Sequence, residues 1–111
     1  MQAGPEVKGG LRLFSKAIAV DFARRRYGIR VNTIFPGLID TSLTRPLFKS
    51  QVKPDSEKNI ETIRREMIDR YPIGRIGKPE EIGSVVSFLA GDDSSYMVGA
   101  ELVVDGGLTA S

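Results

Sequence analysis

Residues 5–35 carry the feature that most limits the fold: a long helical pattern runs, across one short turn, into a β-branched strand. Val7, Leu11, Phe14, Ile18 and Phe22 recur at steps of three or four, which predicts a helix over 5–26. Pro5 suits its first position, where a missing N–H costs nothing. Arg24, Arg25 and Arg26 lie in the last turns, where cations favour the dipole, and Gly28 is placed for a left-handed cap. The run "IRVNTIF" then predicts a strand over 29–35 that stops at Pro36-Gly37. A strand fed this closely by a helix belongs to an αβ unit with parallel pairing.

Leu13, Ala17 and Val20 give the same helix a second apolar strip, so it is expected to pack on two sides. Downstream, "KPEEIGSVVSFLAG" over 78–91 predicts a second helix, with Pro79 at its start, Glu80 and Glu81 in the first turn and Gly91 as stop. "AELVVDGG", 100–107, predicts a second strand ending in a glycine turn. Residues 38–72 lie between these elements. Leu43, Leu47 and Phe48 there suit a short helical turn after Thr41, while Ile60, Ile63, Met67 and Tyr71 mark a helix over 56–71. An irregular stretch of that length is usually a lid or binding loop. Two strands rarely hold together alone in water, and an α/β layer needs both sheet faces covered. The pattern therefore reads as the second half of a doubly wound α/β domain.

Composition narrows the chemistry. The 111 residues, 41% hydrophobic and 27% charged, suit one globular domain, and a net charge of +2 with interspersed signs does not indicate a nucleic-acid surface. With no cysteine and no histidine, thiolate catalysis, a serine–histidine triad, most structural zinc sites and histidine metal sites are excluded. No apolar run reaches the length of a signal or membrane-spanning segment, so a cytoplasmic setting is expected. The glycine pairs 9–10 and 106–107 and the stretch 74–77 do not follow a strand and open a helix, so no phosphate cradle for a dinucleotide is visible.

Three stretches, taken together, resemble the carboxy-terminal part of the short-chain dehydrogenases and reductases: "KGGLRLFSKAIAVDFA", "GIRVNTIFPGLIDTSL" and "PIGRIGKPEEIGSVVSFLAGDDSSYMVGAELVVDGG". The resemblance implies an incomplete Rossmann-like sheet of which this chain supplies the last two parallel strands, without the amino-terminal dinucleotide-binding half. It implies NAD(P) as cofactor and hydride transfer between nicotinamide and a carbonyl or alcohol. Lys8 matches the lysine of the family's catalytic Tyr-x-x-x-Lys pair, and Gly4 stands where the tyrosine belongs. The resemblance further assigns Pro36 and Gly37 to a turn beneath the nicotinamide, Ile39 to a backbone contact with its carboxamide, and Thr41 to a hydroxyl bonding the carboxamide or a phosphate. Residues 38–72 match the substrate lid, with Leu43, Leu47, Phe48 and Met67 as candidate cleft residues. Strand 100–107 and helix 78–91 match a common subunit interface, so a homo-oligomer is expected.

A four-residue spacing places Tyr and Lys on one helical face, where the ammonium lowers the phenol's pKa and makes it a usable proton donor near neutrality. Glycine has no proton to give. The expectation is thus a truncated oxidoreductase segment, inactive alone. The alternative is a small oligomeric binding module that reuses old subunit interfaces. Plainer local readings stay open: Lys8 as a first-turn surface lysine, Pro36-Gly37 as a strand-ending turn, and Thr41 as a helix cap.

Overall fold

The computed structural model describes residues 5–50, 57 and 59–111, with backbone alone at 5–8 and 48–50. The elements are α1 (Pro5–Arg24), β1 (Thr33–Pro36), α2 (Arg45–Ser50), α3 (Ile60–Ile68), α4 (Pro79–Ala90) and β2 (Glu101–Val104), with 3-10 turns at Asp92–Ser94 and Leu108–Ala110. β1 and β2 pair in a two-stranded sheet. The Thr33 N–H donates to the Ala100 carbonyl and the Gly37 N–H to the Val104 carbonyl, so donor and acceptor advance together and the pair is parallel. This is an incomplete Rossmann-like α/β fold. Among the described residues, no helix is long and apolar enough to cross a membrane.

The chain divides into two units: Met1–Phe35 with Ser84–Val103, and Pro36–Gly83 with Val104–Ser111. In the first, α1 lays Ala19, fully buried, toward Gly99. Glu101 on β2 fixes the helix laterally, with Arg12 Nε 2.9 Å and Lys16 Nζ 3.7 Å from its Oε1. The Arg12 guanidinium also lies 5.3 Å from the centre of the Phe35 ring. Phe14 of the first apolar strip and Leu13 of the second stay 64% and 73% exposed.

α1 ends differently from the sequence expectation. Arg26, at φ 57°, takes the left-handed position, and the Tyr27 N–H reaches back to the Phe22 carbonyl at 3.3 Å. The Phe22 and Tyr27 rings sit 5.6 Å apart, supplying the apolar contact that accompanies this kind of cap. Gly28 adopts a second positive φ, two residues further on.

β1 is shorter than 29–35 because side chains take over part of the pairing. Asn32 accepts from the Ala100 N–H at 2.9 Å and donates to the Met97 carbonyl at 3.1 Å. Arg30 donates to the carbonyls of Leu89 (2.8 Å), Gly91 (3.2 Å) and Met97 (3.3 Å). α4 has no basic residue in its last turn, so Arg30 brings the cation that its carboxyl end lacks. The buried Ser94 hydroxyl adds contacts of 2.8 and 2.9 Å to the Phe88 and Leu89 carbonyls.

In the second unit α2 packs on α3. Asn59 caps α3, its Oδ1 accepting from the Thr62 N–H at 2.9 Å, and this sets the helix start at Ile60 rather than near 56. Ile63 on α3 and Tyr71 beyond its end are the buried hydrophobic residues of this unit among the described residues.

Candidate functional site

The segment 36–44, where β1 runs out into a loop, lies wholly in the second unit. Gly37 begins it. A Cβ there would stand 2.8 Å from Asp105 Cα and 3.1 Å from Tyr71 Cε1, so glycine is demanded by close approach rather than by φ. The Gly37 N–H donates to the Val104 carbonyl at 3.0 Å, carrying the β1–β2 pairing one bond past Pro36. A cavity of about 50 Å³, room for more than one water, borders Gly37, Leu38 and Ile39 and is closed by Tyr71, Ile73 and Val104.

Ile39 forms an isolated parallel bridge with Gly77. The flanking groups carry it: the Asp40 N–H donates to the Gly77 carbonyl and the Gly77 N–H to the Leu38 carbonyl, both at 2.9 Å. Ile39's own peptide groups therefore point away from Gly77. Its carbonyl accepts a short hydrogen bond from the Thr44 hydroxyl, while its N–H has no partner among the described residues. A Cβ at Gly77 would fall 2.6 Å from Ile39 Cδ1, so any larger residue there would require the Ile39 side chain to turn aside.

Thr41 and Thr44 bond reciprocally. The Thr41 N–H donates to Thr44 Oγ1 at 2.9 Å, the Thr44 N–H to Thr41 Oγ1 at 3.3 Å, and the two hydroxyls lie 3.2 Å apart. Thr41 is thus a cap for the turn entering α2 and, at the same time, a hydroxyl held in a fixed place.

Two carboxylates brace the surrounding loops. Glu81 accepts from both terminal NH₂ groups of the Arg75 guanidinium, at 2.6 and 2.9 Å, and from the Lys78 N–H at 3.0 Å. Hydrogen bonding by Arg75, then by the Lys78 backbone, draws its pKa down to about 2. Asp105 accepts from the Thr109 hydroxyl at 2.7 Å and from the Gly107 and Thr109 N–H groups. The Thr109 hydroxyl is the main reason its pKa lies below the ordinary carboxylate value.

Pro36 closes β1, Gly37 carries the pairing one bond further to Val104, Ile39 bridges to Gly77 and Thr41 opens the turn into α2, all within one continuous segment. Lys8 lies on the α1 backbone in the first unit, and its side chain falls outside the described residues, as do Gly4 and the Phe48 side chain. Of the lid positions, Leu43 is 84% exposed, while Leu47 and Met67 are half-buried on α2 and α3. Sequence reasoning passed over Thr44, the bridge of Gly77 to Ile39 and the packing of Tyr71 beneath Gly37. The Thr-x-x-Thr spacing was a usable signal for Thr44, whereas long-range contacts of Gly77 and Tyr71 leave no local mark.

Comparison with known proteins agrees with the α/β fold. Residues 3–109 match the family described as enoyl-(acyl carrier protein) reductase. An uncharacterized oxidoreductase of Bacillus subtilis is 42% identical over 93% of this chain and 36% of its own length. An NADP-dependent (R)-specific alcohol dehydrogenase of Lentilactobacillus kefiri is 39% identical over 93% of this chain and 36% of its own. A crystal structure of a short-chain dehydrogenase family protein from Francisella tularensis superimposes with a TM-score of 0.86 at 34% identity, covering 98% of this chain and 46% of that one. The chain spans about a third of the length of the curated relatives it matches.

Proposed function

The chain belongs to the short-chain dehydrogenase/reductase family, and on that premise we propose that it supplies the carboxamide-binding turn and substrate lid of an NAD(P)-dependent oxidoreductase. The observation that carries the reading is a matched pair of hydrogen-bonding groups. The Ile39 N–H is an unspent donor among the described residues, and the Thr41 hydroxyl lies two residues further on. A primary carboxamide offers one carbonyl and one NH₂, the complement of such a pair. Pro36 and Gly37, at the end of β1, lead into it, and the Tyr71 ring lies against Gly37. Nicotinamide, when bound, supplies or takes the hydride; this chain's part is to orient its ring and enclose a carbonyl or alcohol beneath the lid residues Leu43, Leu47, Phe48 and Met67. Lys8 takes the family's role of a cation for the cofactor ribose.

The 111 residues alone are not expected to transfer hydride. Gly4 offers no proton at the position matching the family's tyrosine, and the sequence holds no glycine-rich turn that opens a helix after a strand. Activity is therefore assigned to the chain together with an amino-terminal portion of the fold. Calorimetry with NADH and NADPH tests this. The chain alone should show no micromolar binding, and binding should appear when the amino-terminal two-thirds of the Bacillus relative is added. Micromolar binding by the chain alone would overturn the assignment of inactivity, and no binding in the mixture would overturn the cofactor role.

The bare strip of α1, with Leu13, Phe14 and Val20 at 73%, 64% and 44% exposure, favours association as well. The same surface would serve the alternative reading as an oligomeric binding module, which survives if the mixture binds no dinucleotide while the chain self-associates.

A further inference from the structure

We propose that Thr44 is a positioning residue that sets the direction of hydrogen bonding at Thr41, so that the turn accepts an amide N–H and discriminates against groups that carry none. The inference rests on the carboxamide reading above and assigns a role to a residue outside it. It follows from counting protons. A hydroxyl has one proton and two lone pairs. Thr44 Oγ1 sits against the Ile39 carbonyl oxygen at hydrogen-bonding distance, and a carbonyl can only accept, so Thr44 must donate there. That spends its proton; the Thr41 carbonyl, 3.1 Å away, is then a neighbour rather than a second acceptor. The lone pairs of Thr44 Oγ1 are taken by the Thr41 N–H at 2.9 Å and by the Thr41 hydroxyl at 3.2 Å.

The Thr41 hydroxyl has therefore given its proton inward. One of its lone pairs faces the Thr44 N–H at 3.3 Å, and the other is the open valence. Thr41 meets a ligand as an acceptor. A carboxamide NH₂ satisfies it, whereas a phosphate oxygen or a methyl ketone in the same place does not. Removing the Thr44 hydroxyl frees the Thr41 proton to turn outward and frees the Ile39 carbonyl as a competing acceptor.

The free ring system probes this without any pyrophosphate cradle. Nicotinamide and 3-acetylpyridine differ in that the second replaces the amide NH₂ with a methyl group. Each is titrated at millimolar concentration into the isotopically labelled 111-residue chain, following the Ile39 and Thr41 amide signals. The wild-type chain should prefer nicotinamide by roughly 2- to 10-fold, the range of one neutral hydrogen bond. Thr44→Val should bring the ratio to about one, and Thr44→Ser should restore it. A purely structural role would weaken both ligands alike and leave the ratio standing, so a Thr44→Val chain that keeps the preference overturns the assignment of Thr44. A Thr44→Val chain too disordered to give these signals is replaced by Thr44→Ala, read in the same way. If the wild-type chain responds to neither compound, the carboxamide reading itself fails and this inference with it, an outcome distinct from a retained preference.

Discussion

Arg26 shows how a single backbone angle can be both costly and specified. A residue with a Cβ pays roughly 1 kcal/mol or more in the left-handed region, and glycine avoids this while losing more chain entropy on folding. Arg26→Gly is therefore expected to stabilise the first unit by a few tenths to about 1 kcal/mol, measured as a shift in the urea midpoint with unchanged slope. Glu81 is the corresponding case for charge. Its pKa falls from an ordinary 4.5 to about 2 in the folded chain, so the folded state binds fewer protons than the unfolded one between these values. The stabilisation is fully present above the higher value and is lost as pH falls through the lower one. A carboxyl titration by NMR should place the Glu81 midpoint near the lower value, and Arg75→Gln should return it toward the ordinary one. At Gly37 the constraint is steric. Gly37→Ala would press a methyl against Asp105 and the Tyr71 ring, with an expected cost of about 1–3 kcal/mol and loss of any nicotinamide response.

At the scale of elements, α4 depends on a residue far from it in sequence. Arg30→Met would keep the aliphatic stem but leave the Leu89, Gly91 and Met97 carbonyls without their guanidinium donor. The expected loss is about 1–3 kcal/mol, with faster amide exchange at the carboxyl end of α4. This dependence also explains what the sequence could and could not reveal. The periodicities of α1, α3 and α4 are local properties, and Pro5, Pro79 and Gly91 punctuate them, so helix and strand order was legible. Where β1 begins was not, because Asn32 and Arg30 use side chains in place of part of the ladder and a β-branched pattern carries no record of that. The cap of α1 was displaced for a related reason: the pairing of Phe22 with Tyr27 selects Arg26, although Gly28 has the better intrinsic preference. The end of β1 at Pro36 was legible through Pro36-Gly37, but the extended segment at 37–41 that follows it was not. Its supports, Tyr71, Gly77 and Asp105, were not, since they reach it from 34 or more residues away.

For the molecule as a whole, the apolar surface left outside decides the expected behaviour. Leu11, Leu13, Phe14 and Val20 on α1 and Val103 on β2 remain between 44% and 73% exposed, and both strands of a two-stranded sheet are edges. Sedimentation should find a dimer or larger species, and Leu13→Glu with Phe14→Glu should shift it toward the 12.1 kDa monomer. On the proposal above, this chain supplies the carboxamide-binding segment for the family's redox chemistry, and its 111 residues hold neither the matching proton donor nor a glycine-rich pyrophosphate cradle. The most direct test is the steady-state oxidation of NADPH and NADH by the purified 111-residue chain, offered a panel of ketones. No oxidation above the uncatalysed rate is expected. Sustained turnover by this chain, removed with it on immunodepletion, would contradict the account.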